Sequence, residues 1–268
     1  MPEGPECRAI GGFVRDRLQG ETITSIEVVG GRYLTHGVPE ALETLREELP
    51  KTVTAVGVWG KLIFIILDDK KVILSTLGLS GKWTVRRGKH SGICIVHGKH
   101  KKRLWFDDQL HYGTLRVTDV PTLGRTLKSF GPDVTLGDRY LPMQMWEALT
   151  TRYRGWEIAK FLMDQKRLAG IGNYLKAEIL YESRISPHKT LGSLSDEESK
   201  RLYNAIVTIP KAWYVSRTGG GPAMKFKVYG KKRCAKGHKV IVTNTLDGRT
   251  SYWSPSVQDP SFASKIWG

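Results

Sequence analysis

The chain has 268 residues, enough for one large domain or two medium ones with a real core. Hydrophobic residues make up 40% and charged residues 25%, and no apolar run approaches the roughly 20 residues that span a bilayer. No membrane helix and no secretory leader are expected, so the protein should act inside the cell, in cytoplasm or nucleus. The net charge of +16 implies a polyanionic partner, although a merely basic or ribosome-bound protein would fit charge alone. Cys7, Cys94 and Cys234 are too few and too scattered for a disulfide framework, which implies a reducing compartment.

The first element reads as a helix, because Ile10, Phe13, Val14 and Leu18 recur at helical spacing, with Arg8, Arg15 and Arg17 left for the other side. Gly11 and Gly12 count against it. From about residue 22 to 118 the pattern changes to strands, at 53–59, 62–67, 72–77, 93–96 and 104–106, with turns at 68–70 and 97–100. Many short strands in succession predict an antiparallel sandwich or barrel. A hinge is expected at Gly131-Pro132-Asp133, followed by helices at 145–152, 157–164 and 174–182. Another helix should open at Ser195-Asp196-Glu197-Glu198, a capping box, with Leu202, Ala205, Ile206, Ile209 and Trp213 on its apolar face. Strands at 240–244 and 249–254 around Leu246-Asp247-Gly248 read as a β-hairpin. The predicted class is α+β, with a β-sandwich domain over 1–133 and a helical domain over 134–268 that carries a finger hairpin at about 228–258.

The opening Met1-Pro2-Glu3-Gly4-Pro5-Glu6 carries the sharpest chemistry. Proline after the initiator Met permits its removal and exposes a secondary amine. With a pKa of about 8, that amine keeps a neutral fraction near pH 7. It can attack C1′ of a nucleotide sugar, displace the base and form an iminium, as Schiff-base lysines do with carbonyls. Glu3 beside it can protonate the opening ring. Alone, a Met-Pro start is usually innocent.

MPEGPE at 1–6 and the helix after it, TLGLSG at 76–81, FGPDV at 130–134 and LMDQKRLAGIGNYLKAEILYESRISPHK at 162–189 follow in order. Together they resemble the formamidopyrimidine-DNA glycosylase/endonuclease VIII family over almost the whole chain. The resemblance implies a sandwich domain, a helix–two-turn–helix domain and a DNA glycosylase with abasic-site lyase activity. It places Pro2, Glu3 and Glu6 in the catalytic set. It also implies that Lys61 contacts phosphate and aids the elimination steps, though by itself Lys61 would be an ordinary turn lysine. Asn173, in Gly170-Ile171-Gly172-Asn173-Tyr174, matches a phosphate-binding asparagine at a helix N-terminus. Its plain alternative is an N-cap.

Flipping a base leaves a hole that inserted side chains fill. Leu79 matches one such wedge position, and Asp108-Gln109-Leu110-His111-Tyr112-Gly113 matches the loop with the others. Many relatives carry two arginines where this chain has Leu110 and His111. For Leu79 and Tyr112 core packing is the competing explanation. Arg249 matches the finger arginine that reaches the phosphates beside the lesion. Many relatives hold the finger with zinc on two CxxC pairs. Here only Cys234 matches, and Ser254 and Val257 stand where the second pair falls. With His238 as the single further donor nearby, no metal is expected. Tyr252 and Trp253 should support a zincless finger instead.

The implied partner is duplex DNA with oxidised bases or abasic sites, bound by a monomer that needs no cofactor. The basic runs 99–103 and 231–233 add phosphate attraction. The short segment between Trp213 and Tyr229, and the run Met224–Tyr229 itself, lean toward oxidised pyrimidines over 8-oxoguanine. A damaged-DNA-binding protein without chemistry, an 8-oxoguanine-preferring glycosylase and an RNA-bound basic protein are the alternatives.

Overall fold

In the computed structural model, which describes residues 2–259, the chain divides into two units between Ser129 and Phe130. The first opens with α1 (Gly4–Leu18), β1 (Thr22–Val28), α2 (Arg32–His36) and α3 (Glu40–Glu47). Seven strands follow: β2 (Lys51–Trp59), β3 (Leu62–Leu67), β4 (Lys71–Thr76), β5 (Lys82–Thr84), β6 (Ser91–His97), β7 (Lys102–Asp107) and β8 (Thr114–Asp119). The unit closes with α4 (Val120–Ser129). The strands form one antiparallel sheet in the order β5-β7-β6-β1-β2-β3-β4-β8.

Among the described residues the strands of its two halves pair at just Thr22–Thr52 and Ile23–Lys51, beside the bonds that Gly20 and Glu21 make with Val53. At that narrow seam the sheet folds over, and both halves bury one core. Ile23, Ile26, Ile93, Ile95 and Phe106 come from one side, and Val56, Ile63, Ile65, Ile73 and Leu115 from the other. This is the expected sandwich. Alternation drives it: in β3 the side chains of Ile63, Ile65 and Leu67 point inward at period two.

Sequence reading missed α2, α3 and α4. In α3 the signal was present: Leu42 and Leu45 are buried at helical spacing behind Glu40 and Glu43 in the first turn. The strand pattern on either side masked it.

The glycines that weighed against α1 explain how it packs. A Cβ on Gly11 would stand 2.1 Å from Val58 Cγ2, so the helix lies against β2 at a separation only glycine allows. Gly12 faces open space. Gly12→Ala should therefore stabilise the protein by about 0.5–1 kcal/mol, the helix-propensity gain. Gly11→Ala should destabilise it by about 1–3 kcal/mol, because the stiff, buried Val58 must give way. Thermal denaturation of the two variants reads the opposite signs.

The second unit holds a 3₁₀ turn (Val134–Arg139), α5 (Met143–Arg152), α6 (Ile158–Met163), α7 (Asn173–Ser183), a second 3₁₀ turn (Leu191–Ser193) and α8 (Asp196–Arg217). The finger strands β9 (Ile241–Asn244) and β10 (Thr250–Trp253) and the short α9 (Pro255–Gln258) follow. The α8 start is the expected capping box: Ser195 N–H donates to Glu198 Oε2 at 3.0 Å, and Glu198 N–H to Ser195 Oγ at 3.2 Å. α7 is buried on nearly every side, with Leu175, Ile179 and Leu180 in the core of the unit.

Gly131-Pro132-Asp133, the expected hinge, lies just after the boundary between the units. Ala169 N–H donates to Pro132 O at 2.9 Å, and Val134 N–H to Ala169 O at 3.2 Å, which ties the segment into the second unit. Among the described residues no helix is long and apolar enough to cross a membrane.

Candidate DNA-repair site

Pro2 is half-buried just before α1, and Glu3 caps that helix with its side chain 0% exposed. Glu6 turns back and accepts from Glu3 N–H at 3.0 Å. Glu6 thereby holds the backbone at Glu3. Met1 lies outside the described residues.

Lys61, half-buried, occupies the two-residue turn between β2 and β3, where Trp59 pairs with Leu62. Such a tight turn on a long hairpin gives a lysine little freedom of backbone.

The three apolar wedge candidates are all exposed: Leu79 by 42%, Leu110 by 50% and Tyr112 by 62%. Core packing does not account for Leu79 or Tyr112. Two loops carry these side chains, and buried Asp108 staples them together. Its carboxylate accepts from the Ser80 hydroxyl and from Gly113 N–H, the latter at 2.6 Å. Ser80 Oγ in turn accepts from Leu110 N–H at 2.9 Å. Gly78 permits this contact, since a Cβ there would stand 2.7 Å from Gly113 N. The exposed apolar side chains thus stand on two loops that these bonds hold together. His111 adopts φ +59° and lies over the Gly31 backbone.

In the second unit Gln165 builds the turn ahead of α7. Its Oε1 accepts from Gly170 N–H at 3.0 Å, and its Nε2 donates to Met163 O and Ile171 O, both at 2.9 Å. Gly172 is the N-cap of α7, so Asn173 stands in the first turn and is not itself the cap. The capping explanation for Asn173 falls away. Its buried Oδ1 has no hydrogen-bond partner, and the first N–H groups of α7 point out of the same end.

Exposed Arg249 closes the turn between β9 and β10. Thr245 N–H donates to Arg249 O at 3.0 Å, and Arg249 N–H to Asp247 Oδ1 at 3.2 Å. Tyr252 continues an aromatic ladder: Trp213, Phe226, Tyr229 and Tyr252 meet in succession at centroid distances of 5.1, 5.3 and 5.0 Å.

The positions where relatives carry zinc ligands do not fit a metal. Ser254 Oγ donates to Lys239 O at 2.9 Å, and Val257 packs on the apolar cluster around Val228 and Cys234. Burial alone would raise the Cys234 thiol, but the facing Tyr181 hydroxyl and Lys236 N–H hold it below its ordinary value. Among the described residues no three His, Cys, Asp or Glu side chains gather to hold an ion.

Sequence reading missed Gln165, Glu157, Glu178 and His188, and took Asp108 only as part of a wedge loop. Glu157, Glu178 and His188 work through partners 31 to 89 residues away, which no local pattern announces, and Gln165 through backbone of its own turn.

The N-terminal-domain model of formamidopyrimidine-DNA glycosylase matches residues 1–125, and the H2TH-domain model of the same enzyme matches residues 131–218. An "Endonuclease 8" of Pectobacterium carotovorum is 28% identical over 275 residues, covering 96% of this chain and 100% of its own length. A "Formamidopyrimidine-DNA glycosylase" of Listeria monocytogenes is 28% identical over 279 residues with the same coverage. The fold is similar to that of the Lactococcus lactis formamidopyrimidine-DNA glycosylase bound non-covalently to DNA with an abasic site. The TM-score is 0.80 at 23% identity, over 96% of this chain and 99% of that one.

Proposed function

The chain belongs to the formamidopyrimidine-DNA glycosylase family through both of its domains, and from that premise we propose that it is a bifunctional glycosylase and abasic-site lyase acting on oxidised bases in duplex DNA. One observation carries the reading: a half-buried Pro2 stands directly ahead of a fully buried carboxylate, Glu3, whose backbone Glu6 fixes.

Once Met1 is removed, the Pro2 nitrogen attacks C1′ and the bond from C1′ to the base breaks, the base leaving with the electron pair. Glu3 gives its proton to O4′, the ring opens, and an iminium forms between C1′ and Pro2. Loss of a C2′ proton expels the 3′ phosphate, and a second elimination expels the 5′ phosphate. Water then frees Pro2. The product is a one-nucleotide gap flanked by phosphates. Lys61, Asn173 and Arg249 hold phosphates, and Leu79, Leu110 and Tyr112 fill the space of the flipped nucleotide, with His111 beside the backbone. No metal or small cofactor enters these steps.

Oxidised pyrimidines such as thymine glycol and dihydrouracil, with ring-opened purines and hydantoins, are the favoured substrates. Residues 224–229 lie against the core of the second unit, which leaves little chain after α8 to cover a flipped purine.

Borohydride trapping on duplexes with single defined lesions tests the proposal. A covalent adduct is expected, strongest with oxidised pyrimidines. No adduct with any lesion or abasic site, despite a verified proline N-terminus, would leave a binding protein without chemistry. A preference for 8-oxoguanine would overturn the lesion assignment alone.

A further inference from the structure

The finger of this chain is tied to the helical core by a polar network. Buried Glu157, the N-cap of α6, accepts from Leu246 N–H in the finger turn at 2.5 Å through Oε2. Its Oε1 lies 2.9 Å from His188 Nδ1. His188 Nε2 lies 2.7 Å from Thr243 Oγ1 on β9, and that oxygen accepts from Trp253 Nε1–H on β10 at 2.9 Å. The imidazole also meets the Trp253 ring edge-on at 5.7 Å. One carboxylate and one imidazole thus engage both finger strands and their turn.

One tautomer of the ring satisfies both contacts. Nδ1–H donates to Glu157, and Nε2 accepts from the Thr243 hydroxyl. Leu246 is three residues from Arg249, and the bonds from Thr245 to Arg249 O and from Gly248 N–H to Thr245 O make the turn one rigid piece. Pinning Leu246 therefore fixes where Arg249 begins.

We propose that Glu157 and His188 are positioning residues for Arg249, holding the finger turn at the register where the guanidinium meets DNA phosphate. They supply the anchoring that Ser254 and Val257 cannot give through a metal. The inference rests on the phosphate contact assigned to Arg249 above.

A double-mutant cycle decides it, read in binding to a duplex with a tetrahydrofuran abasic analogue over a range of salt. Arg249→Ala should weaken binding about tenfold and lower the slope of log K against log salt by about one. His188→Ala and Glu157→Gln should each reproduce most of both changes. His188→Ala added to Arg249→Ala should cost nothing more, because a positioning residue acts through the group it positions. His188→Gln, which can still bridge, should recover part of the affinity. Losses that multiply, an unchanged salt slope in His188→Ala, or an Arg249→Ala variant that binds as the parent does would each overturn the proposal. If His188→Ala fails to fold, Thr243→Val removes only the finger-side bond and enters the same cycle. The readout is binding alone, so the cycle decides the clamp even if trapping finds no chemistry.

Discussion

A form of the chain that keeps one extra residue ahead of Pro2 should lose base excision and borohydride adduct by about 10³-fold or more, while binding the tetrahydrofuran duplex within about threefold of the parent. The physical reason is local. An added residue turns the Pro2 nitrogen into a tertiary amide whose lone pair is delocalised into a carbonyl, so it cannot attack C1′. Nothing else in the site need change. Glu3 stays buried at the α1 cap with its N–H held by Glu6, and Lys61, Asn173 and Arg249 keep their places. Single-turnover excision and trapping on the same lesion duplex, paired with a binding titration, separate the two effects. Equal excision by both forms, with the extra residue confirmed by mass, would remove Pro2 from the chemistry and send the search to a side-chain amine. Lys61 would be the first candidate, since it stands on a tight turn of the same unit.

What the sequence disclosed and what it hid divide along a physical line. Elements governed by their own neighbours were legible. The β2–β3–β4 meander follows from alternating apolar runs and short turns, and the start of α8 from Ser195 and Glu198. Pro2, Glu3, Lys61, Asn173 and Arg249 could be named as candidates from the sequence, Pro2 and Glu3 from the opening motif and the others through the family resemblance. The buried groups that tie distant segments of each unit together were not legible. Asp108 reaches Ser80 across 28 residues, Glu157 reaches His188 across 31 and Leu246 across 89, and Glu178 reaches Val228 across 50. A lone buried acid that bonds distant backbone has no period and no spacing. It also looks, in one sequence, like any solvated charge. The glycines show the reverse error. Gly11 was read as a weakness of α1, whereas it is the residue that lets α1 lie on Val58.

Glu178→Ala should destabilise the second unit strongly, costing about 4 kcal/mol. The side chain is buried on α7, and its two oxygens accept three backbone N–H groups in a row. Lys227 donates to Oε2 at 2.9 Å, Val228 to Oε1 at 3.0 Å and Tyr229 to Oε1 at 2.9 Å. Alanine removes all three acceptors at once. Each orphaned donor costs about 1–3 kcal/mol, and water entering the vacated space returns part of that sum. Against a typical total of about 5–15 kcal/mol, the loss would leave the unit near its folding limit. Function should fail with it, because residues 224–229 carry Phe226 and Tyr229, the steps of the aromatic ladder between Trp213 and Tyr252 on the finger. Glu178→Gln separates charge from geometry. It keeps one oxygen acceptor but turns an amide N–H₂ toward a backbone N–H, and should cost about half as much. Chemical denaturation followed by tryptophan fluorescence gives both values. A loss under about 1 kcal/mol for Glu178→Ala would mean that the three N–H groups find other partners, and that the ladder rather than the carboxylate holds the base of the finger.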